Sequence, residues 1–293
     1  MSQVDLSTLP LPDVVETISF EAILAELEAD LIARFPDAET TLKRESSLLK
    51  KVLEVAAYKV VEIRARINDA SKALLLAQAT GADLDNLAAN FNVSRLIVTP
   101  ATDNADAVLE SDERLRRRVL LAIEAFSVAG PAGAYVFHAM TVAPDVRDVT
   151  AIKGDPGQVL ITVMGSQSDP VPSSEKLSAI ALALKDDDIR PLTDVVSVLA
   201  PNVHETNVTA ALTLYPGPDG AVVSQNAINS LNKWLEQNAY LGRDLRRSAI
   251  FSRLHVDGVQ SVELTEPASD IVIAERDAIK VNAVSVTVAG VDE

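Results

Sequence analysis

Residues 48–75 read LLKKVLEVAAYKVVEIRARINDASKALL, and this stretch decides how the N-terminal part of the chain is interpreted. Apolar residues recur along it at alternating intervals of four and three positions, the spacing of a helix face in a coiled coil. This face, called here the heptad seam, comprises Leu49, Leu53, Ala56, Val60, Ile63, Ile67, Ala70 and Leu74. The pattern predicts a helix over residues 44–79, capped by Gly81, and its 3.5-residue period favours supercoiling against partner helices.

The partner of the seam is either internal or another chain. Residues 20–35 predict a shorter helix with Ser19 as its N-cap, preceded by a non-helical arm that contains Pro10 and Pro12. The two helices could pair as a hairpin within one chain. However, a helix over residues 44–79 would be roughly 50 Å long, much longer than its predecessor. The C-terminal half of the seam would then lack an internal partner, which favours a helical bundle between chains.

Behind this helical segment the apolar period changes. Residues 93–109 are loop-like, and helical patterns follow up to residue 140. Alternating apolar and polar residues then predict a β-β-α-β unit over residues 145–200. A second α+β unit follows it. Its predicted strands are 208–215, 259–264 and 281–288, and its predicted helices lie around Trp234 and over 245–254.

The predicted fold class is therefore α+β, with a long helical N-terminal arm followed by two small α+β domains. The predicted divisions are residues 1–95 for the helical arm and bundle-forming segment, 96–200 for the middle α+β domain and 201–293 for the C-terminal α+β domain.

Composition excludes several classes of protein. The 293 residues contain 26 Lys and Arg against 42 Asp and Glu, a net charge of −16, which argues against nucleic acid or an anionic membrane as the main partner. With no cysteine, the chain has no disulfides, thiol catalysis or Cys-ligated zinc. The longest apolar run, residues 179–184, is too short to span a membrane. No secretory signal is visible, so we expect production in the cytoplasm.

Few residues offer chemistry, and no catalytic, cofactor-binding or metal site is expected. The three histidines are scattered, which fits packed or solvated side chains better than metal ligands. They are His138, His204 and His255. The aspartate run 186–188 fits a solvated turn better than a cation site. The arginine runs 116–118 and 246–247 fit ordinary surface or inter-subunit ion pairs, with 116–118 as a hypothetical source of register between subunits.

Several motifs, in their order along the chain, resemble the baseplate J-like family of contractile phage tails and R-type pyocins. Each motif alone is weak, but their order and separations are fairly specific and extend over nearly the whole chain. The motifs are ESDERLRRR (110–118), SVAGPAGAY (127–135), VRDV (146–149), GQV (157–159), IRPLTD (189–194), AP (200–201), LGRDL (241–245) and GVQSVEL (258–264).

The resemblance implies a structural baseplate wedge protein that helps to assemble the baseplate ring and to trigger sheath contraction. It implies a heterotrimer of two copies of this chain with one smaller wedge subunit, joined through their N-terminal helices. It also implies contacts with neighbouring wedges in a six-fold ring, and with sheath-initiator and hub proteins. The expected location is the baseplate of an assembled phage or bacteriocin particle. No cofactor is expected, and neither nucleic acid nor a membrane is expected as a partner.

Two alternatives from other classes remain. One is a carboxylate-dependent tail hydrolase, which one Trp and four Tyr support poorly because sugar-binding clefts rely on aromatic faces. The other is a homo-oligomeric adaptor that belongs to no tail. We expect a protein that is not an enzyme.

Overall fold

The computed structural model describes residue 6 and residues 9–127, 130–166, 168–186, 189–191, 193–217 and 219–292. The chain divides into two compact units. The first comprises residues 1–95 with 111–120, and the second comprises residues 96–110 with 121–293. Apart from residues 111–120, the middle and C-terminal α+β segments both belong to the second unit, and the predicted division near residue 200 stays a prediction.

The first unit is helical. Helix α1 spans Phe20–Arg34, and the Oγ of its N-cap Ser19 accepts a hydrogen bond from the backbone N–H of Ala22 at 3.3 Å, as predicted. A short 3-10 turn at Pro36–Ala38 leads into the one-turn helix α2, Glu39–Leu42. Helix α3 spans Leu48–Ala73, and helix α4 spans Gly81–Ala89.

Helix α3 is shorter than predicted at both ends, and Gly81 does not cap it. The chain leaves the helix after Ala73, and the guanidinium of Arg116 donates to the carbonyls of Leu76 at 2.6 Å and Ala79 at 2.9 Å. The turn also buries Ala79. Together these contacts favour the turn over a straight helix that continues to residue 79. Gly81, with φ +53°, begins α4 instead.

The segment predicted as a loop over residues 93–109 contains a small β-hairpin, so that prediction is wrong in part. Strand β1, Ile97–Thr99, pairs antiparallel with strand β2, Val108–Leu109. At the base of the hairpin, the buried Glu110 accepts a hydrogen bond from the N–H of Leu96 through its carboxylate, and its own N–H donates to the Leu96 carbonyl. Helix α5, Asp112–Ala125, follows.

The predicted β-β-α-β unit is confirmed. Its elements are strands β3 (Asp148–Lys153) and β4 (Gln158–Met164), helix α7 (Ser174–Ala183) and strand β5 (Val195–Leu199), and helix α6 (Ala132–Val142) precedes them. Strand β4 lies in the centre of the sheet, antiparallel to β3 and parallel to β5. Helices α6 and α7 bury their apolar residues against this sheet, around Tyr135, Met140, Ile161 and Ile180.

The second α+β unit is also confirmed, with longer strands than predicted. Its elements are β6 (Asn202–Leu214), α8 (Gly220–Asn238), α9 (Arg247–Leu254), β7 (Val259–Glu266) and β8 (Asp277–Val291). The sheet order is β7-β6-β8, with β6 and β8 parallel. Leu245 lies outside α9 because its backbone pairs with that of Ile271 before the helix begins.

The fold class is α+β, as predicted, with N-terminal helices followed by small sheet domains. Among the described residues, no helix combines the length and apolarity needed to cross a bilayer.

Candidate assembly surface

Helix α3 buries a different face from the heptad seam. Its fully buried positions are Ala57 and Asn68, each one residue after a seam residue. One residue is a rotation of roughly 100° about a helix axis. The face that packs inside the first unit is therefore turned away from the seam, and α1 lies beside α3 in this unit.

Asn68 holds the N-terminal arm onto this inner face. Its Oδ1 accepts from the N–H of Glu16 at 3.2 Å, and its Nδ2 donates to the Glu16 carbonyl at 2.8 Å. The guanidinium of Arg64 lies 3.4 Å from the Glu16 carboxylate. The sequence reasoning missed Asn68. The sequence feature that marks Asn68 is that it is a polar residue one position after a seam residue. Burial of a polar residue is not expected at such a position.

The two halves of the seam differ in exposure. Leu49, Leu53, Ala56 and Val60 are half-buried. The other half, called here the exposed stripe, consists of Ile63 (60% exposed), Ile67 (51%), Ala70 and Leu74 (75%). These four side chains are exposed within the described part of the chain, and the expectation that they meet another chain stays a prediction.

Further aliphatic side chains extend this surface toward the start of α3. Leu48, Val52 and Val55 are exposed at 80%, 56% and 64%. They were not part of the predicted seam, although their spacing of four and three repeats its pattern. A helix that exposes this many aliphatic side chains presents an apolar face suited to another helix.

Charged residues flank the exposed stripe. Lys59 and Glu62 form an ion pair at 2.8 Å, and hydrogen bonding to Glu62 raises the pKa of Lys59. Arg66 is exposed between Ile63 and Ile67 and makes no ion pair within the described residues. Exposed pairs of this kind contribute little to stability, so these charges are available to a partner helix.

The expectation for the arginine run 116–118 is wrong for two of its members. Arg116 holds the turn after α3, and Arg118 is 2% exposed and donates to the Ser94 carbonyl at 3.1 Å. Both side chains form hydrogen bonds inside the first unit. They therefore do not support the hypothesis that the run sets register between subunits. A guanidinium offers five donors in a fixed fork, which suits it to backbone carbonyls.

The run 246–247 divides in the same way. Arg246 is exposed and pairs with Asp244 at 2.6 Å and Asp270 at 3.2 Å. Arg247 donates to the carbonyls of Leu264 and Pro267 and stacks over the Phe251 ring. Only Arg246 matches the predicted surface role.

The histidines lie apart from one another. His138 is half-buried beside Phe137, and burial lowers its pKa. The Nε2 of His204 lies 2.9 Å from Asp277, and His255 is exposed. Of the aspartate run, Asp187 and Asp188 lie outside the described residues. Within the residues that are described, no group of three or more His, Asp or Glu could hold a metal ion.

Six carboxyl groups of the described residues, Asp112 and the five that follow, have a pKa below the usual value because hydrogen-bond donors stabilise their charged form. The other five are Glu39, Glu45, Glu175, Asp270 and Asp277. A glycosidase needs a carboxyl group whose pKa is raised, so that it can donate a proton near neutral pH. These shifts run in the opposite direction and give the hydrolase alternative no support.

Comparison with known proteins identifies the family. The baseplate J-like N-terminal domain matches residues 45–102, the baseplate J-like central domain matches residues 127–200, and the baseplate J-like C-terminal domain matches residues 206–287. The chain belongs to the baseplate J-like family. Its N-terminal family domain contains the whole of α3, so the candidate surface lies inside the family region.

This chain is similar to one relative and to a chain of one solved structure. The chain is 40% identical over 302 residues to baseplate protein J of Escherichia phage P2, with 100% of both chains covered. It is 15% identical to a chain of the 6-fold symmetrised anti-feeding prophage baseplate, with a TM-score of 0.41. That match covers 64% of this chain and 47% of the other, so this chain spans about half its length. Family membership supports a structural role in a phage or phage-derived baseplate.

Proposed function

We propose that this protein is a wedge subunit of a contractile-tail baseplate and that it joins its partners through α3. The exposed stripe carries the proposal, because Ile63 and Ile67 lie in water along one face of a helix whose other face is already packed, and Leu74 follows them at its C-cap. Burying one such side chain is worth about 1.5–3 kcal/mol. A partner helix that covers the stripe would therefore stabilise a complex without rebuilding this unit.

The complex that we propose contains two copies of this chain and one smaller subunit, with their helices in one bundle. Neighbouring wedges would then close a six-fold ring through their C-terminal domains. This ring would contact sheath-initiator and hub proteins and would loosen when the tail is triggered. In this role the chain is made in the bacterial cytoplasm and works as a scaffold rather than as an enzyme.

The experiment replaces Ile63 and Ile67 by Asp in the full chain, which is then co-expressed with its neighbouring tail proteins. Both side chains are exposed, so the variant should fold while a charged stripe prevents the bundle from forming. Tyr58→Asp is the matched control. Tyr58 is 57% exposed on α3, and nine residues before Ile67 place it roughly on the opposite side of the helix.

Light-scattering mass and circular dichroism give the outcome. We expect the native chain and Y58D to yield a heteromeric complex with two copies of this chain, and I63D/I67D to yield folded but unassembled protein. A complex of normal mass from I63D/I67D would refute the use of this stripe. Assembly of the native chain with itself alone, unchanged by co-expression, would favour the homo-oligomeric adaptor.

A further inference from the structure

A cleft in the C-terminal α+β segment has the composition of a protein-binding hot spot. It has a volume of about 390 Å³ that includes open solvent, and it lies between the C-terminal half of α8, the loop after it and strand β8. Trp234 and Tyr240 supply aromatic surface, and Ile279 and Val281 supply an aliphatic wall. Trp, Tyr and Arg are the residues most enriched where binding energy concentrates.

The LGRDL motif supplies the charge of this cleft. Four of its residues are used inside the fold. Leu241 and Gly242 donate backbone hydrogen bonds to Asp148 and Asp277, Asp244 pairs with Arg246, and the backbone of Leu245 pairs with Ile271. Arg243 is the exception. It lines the cleft, is exposed, and makes no hydrogen bond or ion pair with any described residue.

The β1–β2 hairpin has the complementary properties. Its side chains Ile97, Val108 and Leu109 are each more than half exposed. Its tip carries Asp103 and Asp106, both exposed and without an ion pair in the described part of the chain. A two-stranded hairpin is marginally stable alone in water, so exposed aliphatic side chains on it gain from a partner surface.

We propose that the cleft of one copy binds the β1–β2 hairpin of a second copy, with Arg243 facing Asp103 and Asp106 and the aliphatic side chains of the hairpin against Trp234 and Tyr240. Charge complementarity selects this occupant. Within the described part of the chain Arg243 is an unpaired cation and the hairpin joins unpaired carboxylates to exposed aliphatic surface, while the net charge of the sequence is −16. Screening by salt should weaken such a contact.

The contact joins two different surfaces, so it is heterologous. Heterologous contacts produce rings when the rotation closes and open assemblies when it does not. The inference rests on the proposed function only in that a ring of wedges needs contacts between copies. It uses neither α3 nor the exposed stripe, so the two proposals can fail separately.

The test uses the full-length I63D/I67D chain as background, which removes association through α3. Sedimentation velocity over a concentration series gives the self-association. The single tryptophan, Trp234, reports whether the cleft becomes covered. We expect concentration-dependent self-association together with a shift of Trp234 emission to shorter wavelength. Failure to self-associate, or self-association without a change of Trp234 emission, would overturn the proposal.

Charge variants identify the contact. R243E should weaken self-association by about tenfold or more, because the introduced carboxylate would repel those of Asp103 and Asp106. R253E, at an exposed arginine of α9, is the matched control and should have no effect. D103K/D106K should weaken self-association equally, whereas D155K/D169K, at two other exposed aspartates, should not. Equal effects of a variant and its control would contradict the contact.

Mixing the two defective variants tests its heterologous geometry. R243E keeps an intact hairpin, and D103K/D106K keeps an intact cleft. Each contact in the mixture joins opposite charges, the intact hairpin with the intact cleft and the reversed hairpin with the reversed cleft, so mixing should restore the self-association that each variant lacks alone. A mixture that behaves as the sum of its components would refute the pairing of these two surfaces.

Discussion

The side-chain amide of Asn68 and the backbone of Glu16 exchange two hydrogen bonds across 52 positions of sequence. The Glu16 N–H donates to Oδ1 at 3.2 Å, and Nδ2 donates to the Glu16 carbonyl at 2.8 Å. Asn68 is 7% exposed, so these bonds form where water has little access. One side chain thus satisfies both backbone groups of an arm residue that belongs to neither a helix nor a strand.

Replacement of Asn68 by Ala should release this arm. An unpaired buried donor or acceptor costs about 1–3 kcal/mol, so we expect a loss of that size in the free energy of unfolding, measured by urea denaturation. Amide exchange at Glu16 should become faster. Asn86→Ala, which removes an exposed side-chain bond to the Ala82 carbonyl, is the control and should change little. Unchanged exchange at Glu16 in N68A would show that other contacts hold the arm.

Replacement of Asp148 by Ala should weaken the contact between the two α+β segments. This buried carboxylate accepts from the N–H of Val149 at 2.8 Å and from the N–H of Leu241 at 2.9 Å, 93 positions away. Leaving both donors unpaired should cost roughly 2–4 kcal/mol, measured by urea denaturation. Asp155→Ala, at an exposed turn residue, serves as the control. Equal stability of the two variants would contradict the role of Asp148.

Arg147, the neighbour of Asp148, should be sensitive even to Lys. Its guanidinium donates to the carbonyls of Glu236, Gln237 and Ala239 at the end of α8 and lies 4.9 Å from the centre of the Tyr240 ring. Lysine keeps the charge but loses the planar fork and the stacking. We expect R147K to unfold about 1 kcal/mol more easily, with circular dichroism as the measurement. R253K, at an exposed site, should match the native chain.

Gly242 should not tolerate alanine. Its φ is +68°, and an added Cβ would lie 2.9 Å from the Cα of Glu275. Gly81 has φ +53° with no atom within 4 Å of its added Cβ, so G81A measures the conformational cost alone, about 1–2 kcal/mol. Thermal unfolding of G242A should show a distinctly larger loss than G81A. Equal losses would mean that the backbone at Glu275 moves aside at little cost.

Acidification should weaken the fold through His138. Burial lowers the pKa of this histidine below its ordinary 6.5. The unfolded chain therefore binds a proton at a higher pH than the folded chain, and this part of the stability is lost as the pH falls below 6.5 toward the folded-state pKa. H138Q should flatten the slope of the unfolding free energy with pH in this window. The exposed His255 provides the control H255Q, which should keep the native slope.

Carboxyl groups change the free energy of unfolding in a more acidic pH range than His138 does. Hydrogen bonding from Asn202 is the largest cause that lowers the pKa of Asp277 from 3.8, so its contribution is present above that value and lost as the pH falls through the folded-state pKa. D277N should therefore alter the slope below about pH 4. The two windows separate the histidine from the carboxylate.

Much of the fold could be predicted because periodicity is a local property. The alternation that predicts β3, β4 and the strands of the C-terminal segment reflects side chains pointing to opposite faces of a strand. The hairpin β1–β2 was not predicted, because its strands have only three and two residues. A strand that short carries no measurable alternation. The C-terminal end of α3 was predicted wrongly for another reason. The turn after it is held by Arg116, forty positions away in the sequence.

The candidate surface shows the same division. The sequence by itself determined the class of fold, the positions of most helices and strands, and the seam on α3, because each of these follows from the spacing of neighbouring side chains. Only the tertiary structure decided which face of α3 is buried, through Ala57 and Asn68, and which half of the seam remains exposed. Periodicity identifies an apolar face, but a face becomes buried only where another segment reaches it, and distant residues such as Glu16 decide where that happens.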